Sequence, residues 1–559
     1  QWAFEVVMVL CATAWMLSAG FVTLQKRHIG ITVFYLMASD RVRWWLDLFA
    51  MVVGVFALYM LISDTLIRAL DSIDLVERAG TGWNSPLPMI LKTVLVAGLF
   101  IYLLQLLVNL SRHFQSRALE VGVLALTALI VLRYLIQIGH HYMGGDSFFG
   151  QIDEAINAFG NTVLNPREYG INVREYGIGV VSLGIVAVLL LLMMTGMPLG
   201  IVTLIISVVC AFLFFGPKGL YLVSTNASGL LEKYPLVAVP LFVLMATILE
   251  RAGIAEDLFD AMSIFAGNLR GGVALQTTIV AVILAAMSGV MGGEIVMLGL
   301  VALPQLLRLK YDRKLAIGLI CAAGALATLI PPSIVMIVYG LSADVAIGDL
   351  FAAGFIPGLM LATFYVTYVL VRCNVNPALA PTASEIAVMQ SGGETQGLSR
   401  DRMLAVLLCI LLIACVMGSI YAGIASVTEA AGVGVFGAII VAAVRHKFSY
   451  ELLRDSLANT MGVVGTIIRL ILGAVAFVGL YNLIGGADFM RSLFAGLGLS
   501  PLGTVFVMMA ILVVLGTFME WIAIIFITVP VFAPVVRDLG PELGMEPSWA
   551  AVWFGILFV

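Results

Sequence analysis

Charged residues are scarce in this sequence. Lysine, arginine, aspartate and glutamate make up 11% of the 559 residues, whereas 62% of the residues are hydrophobic. Soluble domains carry about 25% charged residues, because polar groups have to cover their surface. This chain has too few polar residues for that, so lipid must cover part of its surface. The formal net charge of −4 also argues against a nucleic-acid partner.

Sequence signatures of catalysis are missing as well. The six cysteines lie in or beside apolar runs without metal-ligand spacing, so we interpret them as small buried hydrophobic residues. No glycine-rich nucleotide loop is present, which argues against direct ATP drive. His140 and His141 stand in a polar connector and are interpreted as solvated residues, not ligands. Without a Ser/His or zinc constellation in the apolar runs, we expect neither an enzyme nor an organic cofactor.

Apolar runs that suit a membrane helix occur along the whole chain. A crossing needs about 20 apolar residues, and only helices satisfy their own backbone in lipid without closing a barrel. The sequence therefore predicts an all-α integral membrane protein. The clearest runs are 3–25, 44–67, 88–110, 121–138, 178–196, 199–215, 235–249, 315–341, 351–371, 403–422 and 430–444. Because Gln1 and Val559 both lie inside apolar runs, we expect truncation at both ends.

Charge and polarity predict the orientation and the boundaries. The basic loops 26–43 and 111–118 are predicted to be cytoplasmic, and the loop 68–87 to lie outside. The long polar connector 139–172 is the strongest predicted domain boundary. A second polar segment, 373–402, divides the remainder into halves of comparable size.

Two apolar segments are too long for one crossing and are interrupted near the middle. Residues 275–307 are interrupted at 288–293, and residues 504–536 at 516–521. Matching breaks in two halves are typical of transporters with internal repeats and a site at the bilayer midplane. Kinked helices that merely pack, or a purely structural membrane scaffold, are the alternatives that this repetition disfavours.

Ionisable residues within the apolar runs mark the predicted cavity. Glu294 and Glu520 follow the two breaks at similar offsets, and such residues are costly in a membrane unless they are paired or face a cavity. We expect them beside a central cavity, where they tune cation sites or pair with Arg469. Arg469 itself is either a counter-charge for an anionic solute or part of an internal ion pair, and the two readings have equal weight.

Oxygen-rich irregular stretches are candidate cation sites. Between Thr328 and Ser333, the prolines at 331 and 332 remove two backbone donors and free upstream carbonyl groups, which suits sodium. A further cluster at a span junction contains Ser426, Thr428 and Glu429, whose oxygens suit alkali cations and not zinc.

Several of these motifs, in this order, resemble the large membrane subunit of tripartite ATP-independent periplasmic (TRAP) transporters. They are residues 240–254, 288–289, 330–333, 355–358, 421–431 and 516–520. Residues 1–114 resemble the small membrane subunit through Trp2, Glu5, the run 28–32 and Trp83. The resemblance implies a natural fusion, in which 115–172 form a connecting helix and linker and 173–559 form the large transport subunit.

The resemblance also implies a mechanism. The large part would be a sodium-coupled elevator with inverted repeats, two re-entrant hairpins and broken helices, braced by the small-subunit helices in a bacterial inner membrane. A periplasmic substrate-binding protein would deliver a small organic anion, usually a carboxylate. A self-sufficient sodium/carboxylate carrier of similar architecture is the alternative.

Site residues follow from the matching motifs. One sodium site would use Ser288, Gly289 and the break that contains Pro331 and Ser333. The other would use Gly516, Thr517 and their neighbours, with Thr428 and Glu429 near the cavity.

The chain departs from the family pattern at three places. Residues 290–293 replace a serine-rich first tip, Glu520 stands where aspartate is usual, and a Thr-Pro-Thr-Glu run reads Ser-Val-Thr-Glu at 426–429. The variant tip resembles a subgroup associated with 2-oxo acids, mannitol-like solutes or aromatic acids, which disfavours sialic acid. The second half's own Pro-Pro break would lie beyond Val559, so we expect the second sodium site to be incomplete in this sequence.

Overall fold

A computed structural model describes residues 2–24, 32–79, 84–114, 117–144, 147–163, 176–262, 269–289, 291–381, 400–517 and 519–559. Within these ranges the chain forms α-helices and short 3₁₀-helices, without strands, which confirms the predicted all-α class. Up to residue 231 the helices are α1 (Trp2–Leu24), α2 (Thr32–Met37), α3 (Asp40–Asp74), α4 (Leu87–His113), α5 (Arg117–Met143), α6 (Phe148–Val163), α7 (Ile178–Met194), α8 (Leu199–Phe215) and α9 (Pro217–Leu231).

The remaining helices include several short ones separated by breaks. They are α10 (Ala238–Arg251), α11 (Ile254–Ala261), α12 (Gly272–Ser288), α13 (Met291–Arg308), α14 (Arg313–Gly324), α15 (Ile334–Ala343), α16 (Ile347–Val375), α17 (Arg400–Tyr421), α18 (Val427–Val444), α19 (Tyr450–Leu483), α20 (Gly486–Gly496), α21 (Pro501–Gly516), α22 (Trp521–Leu539) and α23 (Pro547–Phe558). Single 3₁₀ turns occupy Tyr234–Val237, Ala325–Thr328, Pro377–Leu379 and Pro541–Leu543.

Eight of the described helices are long and apolar enough to cross a membrane. Predicted runs such as 44–67, 88–110 and 351–371 lie inside α3, α4 and α16. Helix α19 is absent from the predicted runs, although it is one of these eight. Its first turns carry charged residues and its middle carries Arg469, so its 34 residues do not form one uninterrupted apolar run. Helices α20 and α21 are bent by 119° against each other.

The chain divides into two compact units, of which the first comprises residues 1–234 and 461–535. In this unit α4 packs against both α1 and α3. Glycines allow the closest approaches. A methyl group at Gly473 of α19 would lie closer than 3.0 Å to the carbonyl oxygen of Gly200 in α8, and one at Gly465 would meet the carbonyl oxygen of Ser18 in α1. Helix α19 therefore touches α1 and α8 backbone to backbone.

The second unit comprises residues 235–460 and 536–559. Here α10 packs against α18, and α12 packs against α13, α14 and α16. The apolar side chains of Ala285, Leu326, Ala327, Ile330 and Ala362 form a buried cluster, which brings the end of α12 close to the chain around residue 330. An ion pair between Arg445 Nε and Asp257 Oδ2, 2.6 Å apart, joins the end of α18 to α11.

Candidate functional site

The first predicted break is a helix end. Helix α12 ends at Ser288, and Gly289 follows with a φ of 58°, in the left-handed region that glycine adopts without a steric penalty. Its N–H donates to the carbonyl of Ala285 at 3.2 Å, and α13 begins at Met291. Val290 lies outside the described residues. The apolar segment 275–307 thus contains two helices, of which the first ends at Ser288 and the second begins at Met291.

The Pro-Pro stretch is the second irregular segment of this unit. After the 3₁₀ turn Ala325–Thr328 the chain is not helical again until Ile334. The Ser333 hydroxyl donates to the carbonyl of Thr328 at 2.5 Å and accepts from the N–H of Met336 at 3.4 Å, so it caps α15. The Thr328 hydroxyl donates back to the carbonyl of Ala325 at 2.9 Å. Polar side chains therefore hold this non-helical backbone in place.

The two irregular segments meet each other. The N–H of Ile334 donates to the carbonyl of Gly289 at 3.2 Å. A methyl group at Gly289 would lie closer than 3.0 Å to the carbonyl oxygen of Pro332, so only a glycine fits against this backbone. The structure thus brings Ser288 and Gly289 next to the stretch that contains Pro331 and Ser333, although more than 40 residues separate them in sequence. Their role as sodium ligands stays a prediction.

Glu294 lies at the same junction. Its side chain, in the first turn of α13, is fully buried, and its Oε2 accepts a hydrogen bond from the Ser288 hydroxyl at 3.4 Å. Among the described residues, no hydrogen bond reaches its Oε1 and no cation forms an ion pair with it. A negative charge is stabilised near a helix N-terminus, but a buried carboxylate ordinarily needs a cation as well. The junction therefore combines backbone carbonyls, the hydroxyls of Ser288, Thr328 and Ser333, and a carboxylate with one unpartnered oxygen.

The residues of the second predicted sodium site lie where α21 ends and α22 begins, in the first unit. Helix α21 ends at Gly516, the Thr517 hydroxyl donates to the carbonyl of Val514 at 2.7 Å, and Glu520 directly precedes α22. Gly516, Thr517 and Glu520 are all exposed. The predicted break at 516–521 thus also coincides with a helix end. The assignment of these residues to sodium stays a prediction.

Ser426 and Glu429 have a local structural role that the sequence interpretation missed. The Ser426 hydroxyl accepts from the N–H of Glu429 at 3.3 Å, and the Glu429 carboxylate accepts from the N–H of Ser426 at 2.8 Å. This reciprocal capping box begins α18, and its signature, serine followed three residues later by glutamate, is readable in the sequence. Both residues are exposed, whereas Thr428 is buried. Their place at the substrate cavity stays a prediction.

Arg469 contacts residues of the N-terminal helices. Its side chain is 2% exposed, its Nη1 donates to the Thr23 hydroxyl of α1 at 3.5 Å, and the Tyr102 hydroxyl of α4 lies beside both. Within this unit the described residues include no ion pair between Arg469 and Glu520, so that expected pairing is wrong for this structure. The pairing of Arg469 with Glu294 stays a prediction. Whether Arg469 is a counter-charge for the solute or part of an internal ion pair stays a prediction.

The two histidines of the connector are not simply solvated. His140 Nδ1 lies 2.7 Å from Asp153 Oδ2, and His141 Nε2 lies 2.6 Å from Asp74 Oδ2. Arg133 also contacts the buried Asp153. These carboxylates hold α5 against α6 and α3, so the interpretation of both histidines as solvated residues needs this correction.

Comparisons with known proteins place both ends of the chain in one family. The family model "Tripartite ATP-independent periplasmic transporter, DctM component" matches residues 186–559, and the model of the DctQ component matches residues 1–116. A solved structure, the YdaH transporter of Alcanivorax borkumensis, aligns with 61% of this chain and 77% of that one at 16% identity, but its TM-score of 0.47 is too low to support an inference.

Three curated relatives are transport permeases. The C4-dicarboxylate TRAP transporter large permease protein DctM of Pseudomonas aeruginosa is 30% identical over 62% of this chain and 77% of its own length. The ectoine TRAP transporter large permease protein TeaC of Halomonas elongata is 30% identical over 64% and 81%. The isethionate TRAP transporter permease protein DctMQ of Oleidesulfovibrio alaskensis is 28% identical over 59% and 49%. Because the DctM model covers more than half of the sequence and the DctQ model covers its beginning, this chain belongs to the tripartite ATP-independent periplasmic transporter family, as a multi-pass bacterial inner-membrane protein with both membrane components on one polypeptide.

Proposed function

We propose that the protein couples the entry of sodium to the uptake of a small organic anion, which a periplasmic substrate-binding protein delivers to it. The anion is a carboxylate, and the residues of the first tip favour a 2-oxo acid. Support for an acidic solute comes from the relatives, which are named for C4-dicarboxylates, ectoine and isethionate. All three solutes are small and carry a carboxylate or sulfonate group.

The junction of the two irregular segments carries this proposal. Sodium is a hard cation that prefers oxygen ligands, and in secondary transporters unwound backbone at membrane depth supplies them. The turn at Ser288 and Gly289 and the stretch from Thr328 to Ser333 supply hydroxyl and carbonyl oxygens from two directions. The buried carboxylate of Glu294 adds a negative charge for which a bound cation is the natural partner.

Sodium entry and solute uptake would be coupled because one sodium ion would be bound by both irregular segments at once. Among the described residues, one backbone hydrogen bond, from the N–H of Ile334 to the carbonyl of Gly289, joins the two segments, and the close contact of Gly289 with Pro332 adds to it. A sodium ion ligated from both sides would add to this contact, whereas the empty site would leave the tip free to separate. In an elevator mechanism, sodium binding would therefore determine when the transport domain is closed and can move across the membrane.

The decisive experiment is uptake of a radiolabelled 2-oxo acid by proteoliposomes that contain the full-length protein. Uptake is measured with and without an inward sodium gradient, and with and without the binding protein. We expect both to be required. Ser288→Ala should raise the sodium concentration needed for half-maximal uptake, whereas Ser492→Ala, an exposed serine on α20, serves as the matched control.

Each other outcome has a definite meaning. Uptake that needs sodium alone would favour the self-sufficient sodium/carboxylate carrier. Uptake that ignores the sodium gradient would rule out the proposed coupling. Equal effects of the Ser288 and Ser492 substitutions would remove the junction as the site of coupling.

A further inference from the structure

A groove of about 610 Å³ opens between α14 and α16, and none of the residues that line it belongs to the junction described above. Helix α14 contributes small and aliphatic residues to it, and α16 contributes two tyrosines. Tyr368 is 60% exposed. Many other apolar side chains of α16 are exposed as well, as in a helix that faces lipid. The walls are formed by Leu315, Gly318, Leu319, Ala322, Tyr365, Tyr368 and Val369.

One end of the groove carries positive charge. Lys314 in the first turn of α14 and Arg372 in the last turn of α16 both line it and are both exposed. Among the described residues neither forms an ion pair. Asp312 lies at the same end, but its carboxylate accepts a hydrogen bond from the N–H of Leu315 at 2.9 Å and caps α14. The mouth of the groove therefore has an excess of uncompensated cations.

The charge also indicates the side of the membrane. The segment 308–314 carries Arg308, Lys310, Arg313 and Lys314 against one aspartate, and short basic loops of membrane proteins are cytoplasmic. Anionic lipids are enriched on the cytoplasmic side, and basic pockets between helices on that side bind their head groups. Tyrosines such as Tyr365 and Tyr368 are typical of the same interfacial depth.

We propose that this groove binds one anionic phospholipid. Its phosphate group lies between Lys314 and Arg372, and one acyl chain lies along Gly318 and Ala322 against the tyrosine rings. Gly318 is important for the second contact, because a Cβ there would meet no atom within 4 Å and the space above it is open. The occupant follows from charge and shape together: an anion at the mouth and an apolar chain within.

Native mass spectrometry of the purified full-length protein tests the proposal. The protein is titrated with phosphatidylglycerol, with phosphatidylcholine of identical acyl chains, and with inorganic phosphate. Lys314→Gln with Arg372→Gln removes both groove cations. Arg308→Gln with Arg313→Gln removes two exposed cations of the same segment that do not line the groove, so the change in net charge is the same. Gly318→Leu fills the groove and leaves every charge in place.

We expect phosphatidylglycerol to bind more tightly than phosphatidylcholine. Each basic residue near an anionic head group contributes about a fivefold gain in binding, so the groove double variant should lose roughly 30-fold and the control double variant less than about threefold. Gly318→Leu should weaken both lipids, and about 10 mM phosphate should not displace phosphatidylglycerol. Equal losses in the two double variants would overturn the proposal, because general surface charge would explain them. Full competition by phosphate would overturn the proposal as well, since the site would then bind a soluble anion. If Gly318→Leu folds poorly, the comparison of the two double variants still tests the proposal.

Discussion

Replacing Gly289 with alanine perturbs the junction at its narrowest point. The left-handed backbone at this position, with a φ of 58°, costs a residue with a Cβ about 1–2 kcal/mol. The new methyl group would also stand closer than 3.0 Å to the carbonyl oxygen of Pro332 and 3.4 Å from the nitrogen of Ile334. Both neighbours are backbone atoms, so neither can rotate away. The tip must therefore move off the Pro-Pro stretch.

The size of the effect follows from these two costs. Separation of the segments breaks the hydrogen bond from Ile334 to Gly289, which contributes about 1 kcal/mol. Together with the backbone cost this gives about 2–3 kcal/mol against the assembled junction. If the ion binds only the assembled form, its apparent affinity falls roughly 30- to 150-fold, since 1.4 kcal/mol is about a factor of ten.

Two assays measure this loss. The first is the sodium concentration for half-maximal solute uptake by proteoliposomes at a fixed concentration of binding protein. The second is the rise in thermal unfolding temperature that sodium produces in the purified protein, which reports binding without transport. Gly299→Ala is the matched control, because this glycine lies farther along α13, outside the first tip, and its Cβ would meet nothing within 4 Å. An unchanged sodium response of the folded Gly289→Ala variant would refute the assignment of sodium to the junction.

Two further predictions concern the first unit. Arg469→Gln should lower the free energy of unfolding by about 1–3 kcal/mol, because the Thr23 hydroxyl and Tyr102 lose a buried partner. Thermal unfolding measures this loss. A changed anion preference in uptake would instead support the role of Arg469 as a counter-charge for the solute. Hydrogen bonds from Lys92 and Ser72 lower the pKa of Glu77, which lies outside the spans, below its ordinary value of 4.5. The stability that Glu77 contributes is therefore present above pH 4.5 and is lost as the pH falls through its lowered pKa. The effect is small, because the side chain of Glu77 is 38% exposed. The stability of the Glu77→Gln variant should therefore fall less with decreasing pH than that of the wild type. A steeper fall in the variant would contradict this.

The helix breaks and helix caps were predictable from the sequence, because a short stretch of residues is sufficient to produce each of them. Gly289 adopts the left-handed backbone, and the prolines at 331 and 332 have no backbone N–H to donate, so these interruptions coincide with helix ends. The capping box at Ser426 and Glu429 was equally readable, but it is not part of the sequence interpretation, in which the place of these residues near the cavity stays a prediction. Here a local hydrogen-bond pattern explains the spacing of the residues.

Helix α19 marks the limit of hydropathy as a guide. Its N-terminal charges and Arg469 interrupt the apolar pattern, yet the structure has one helix of 34 residues. The charge is tolerated because Thr23 and Tyr102 surround it within the unit. A window of sequence contains no information about such distant partners, so the sequence alone does not decide between the two roles of Arg469.

The sequence by itself determined that this protein lies in a membrane, that it is helical, and where several of its helices break. Those properties depend on the balance of apolar and charged residues and on backbone preferences within a few positions. Only the tertiary structure decided that the turn at Gly289 meets the stretch at Pro332, that Glu294 is buried beside it, and that Arg469 contacts Thr23. These are contacts between residues far apart along the chain, and they are fixed by the packing of whole helices, which no local pattern specifies.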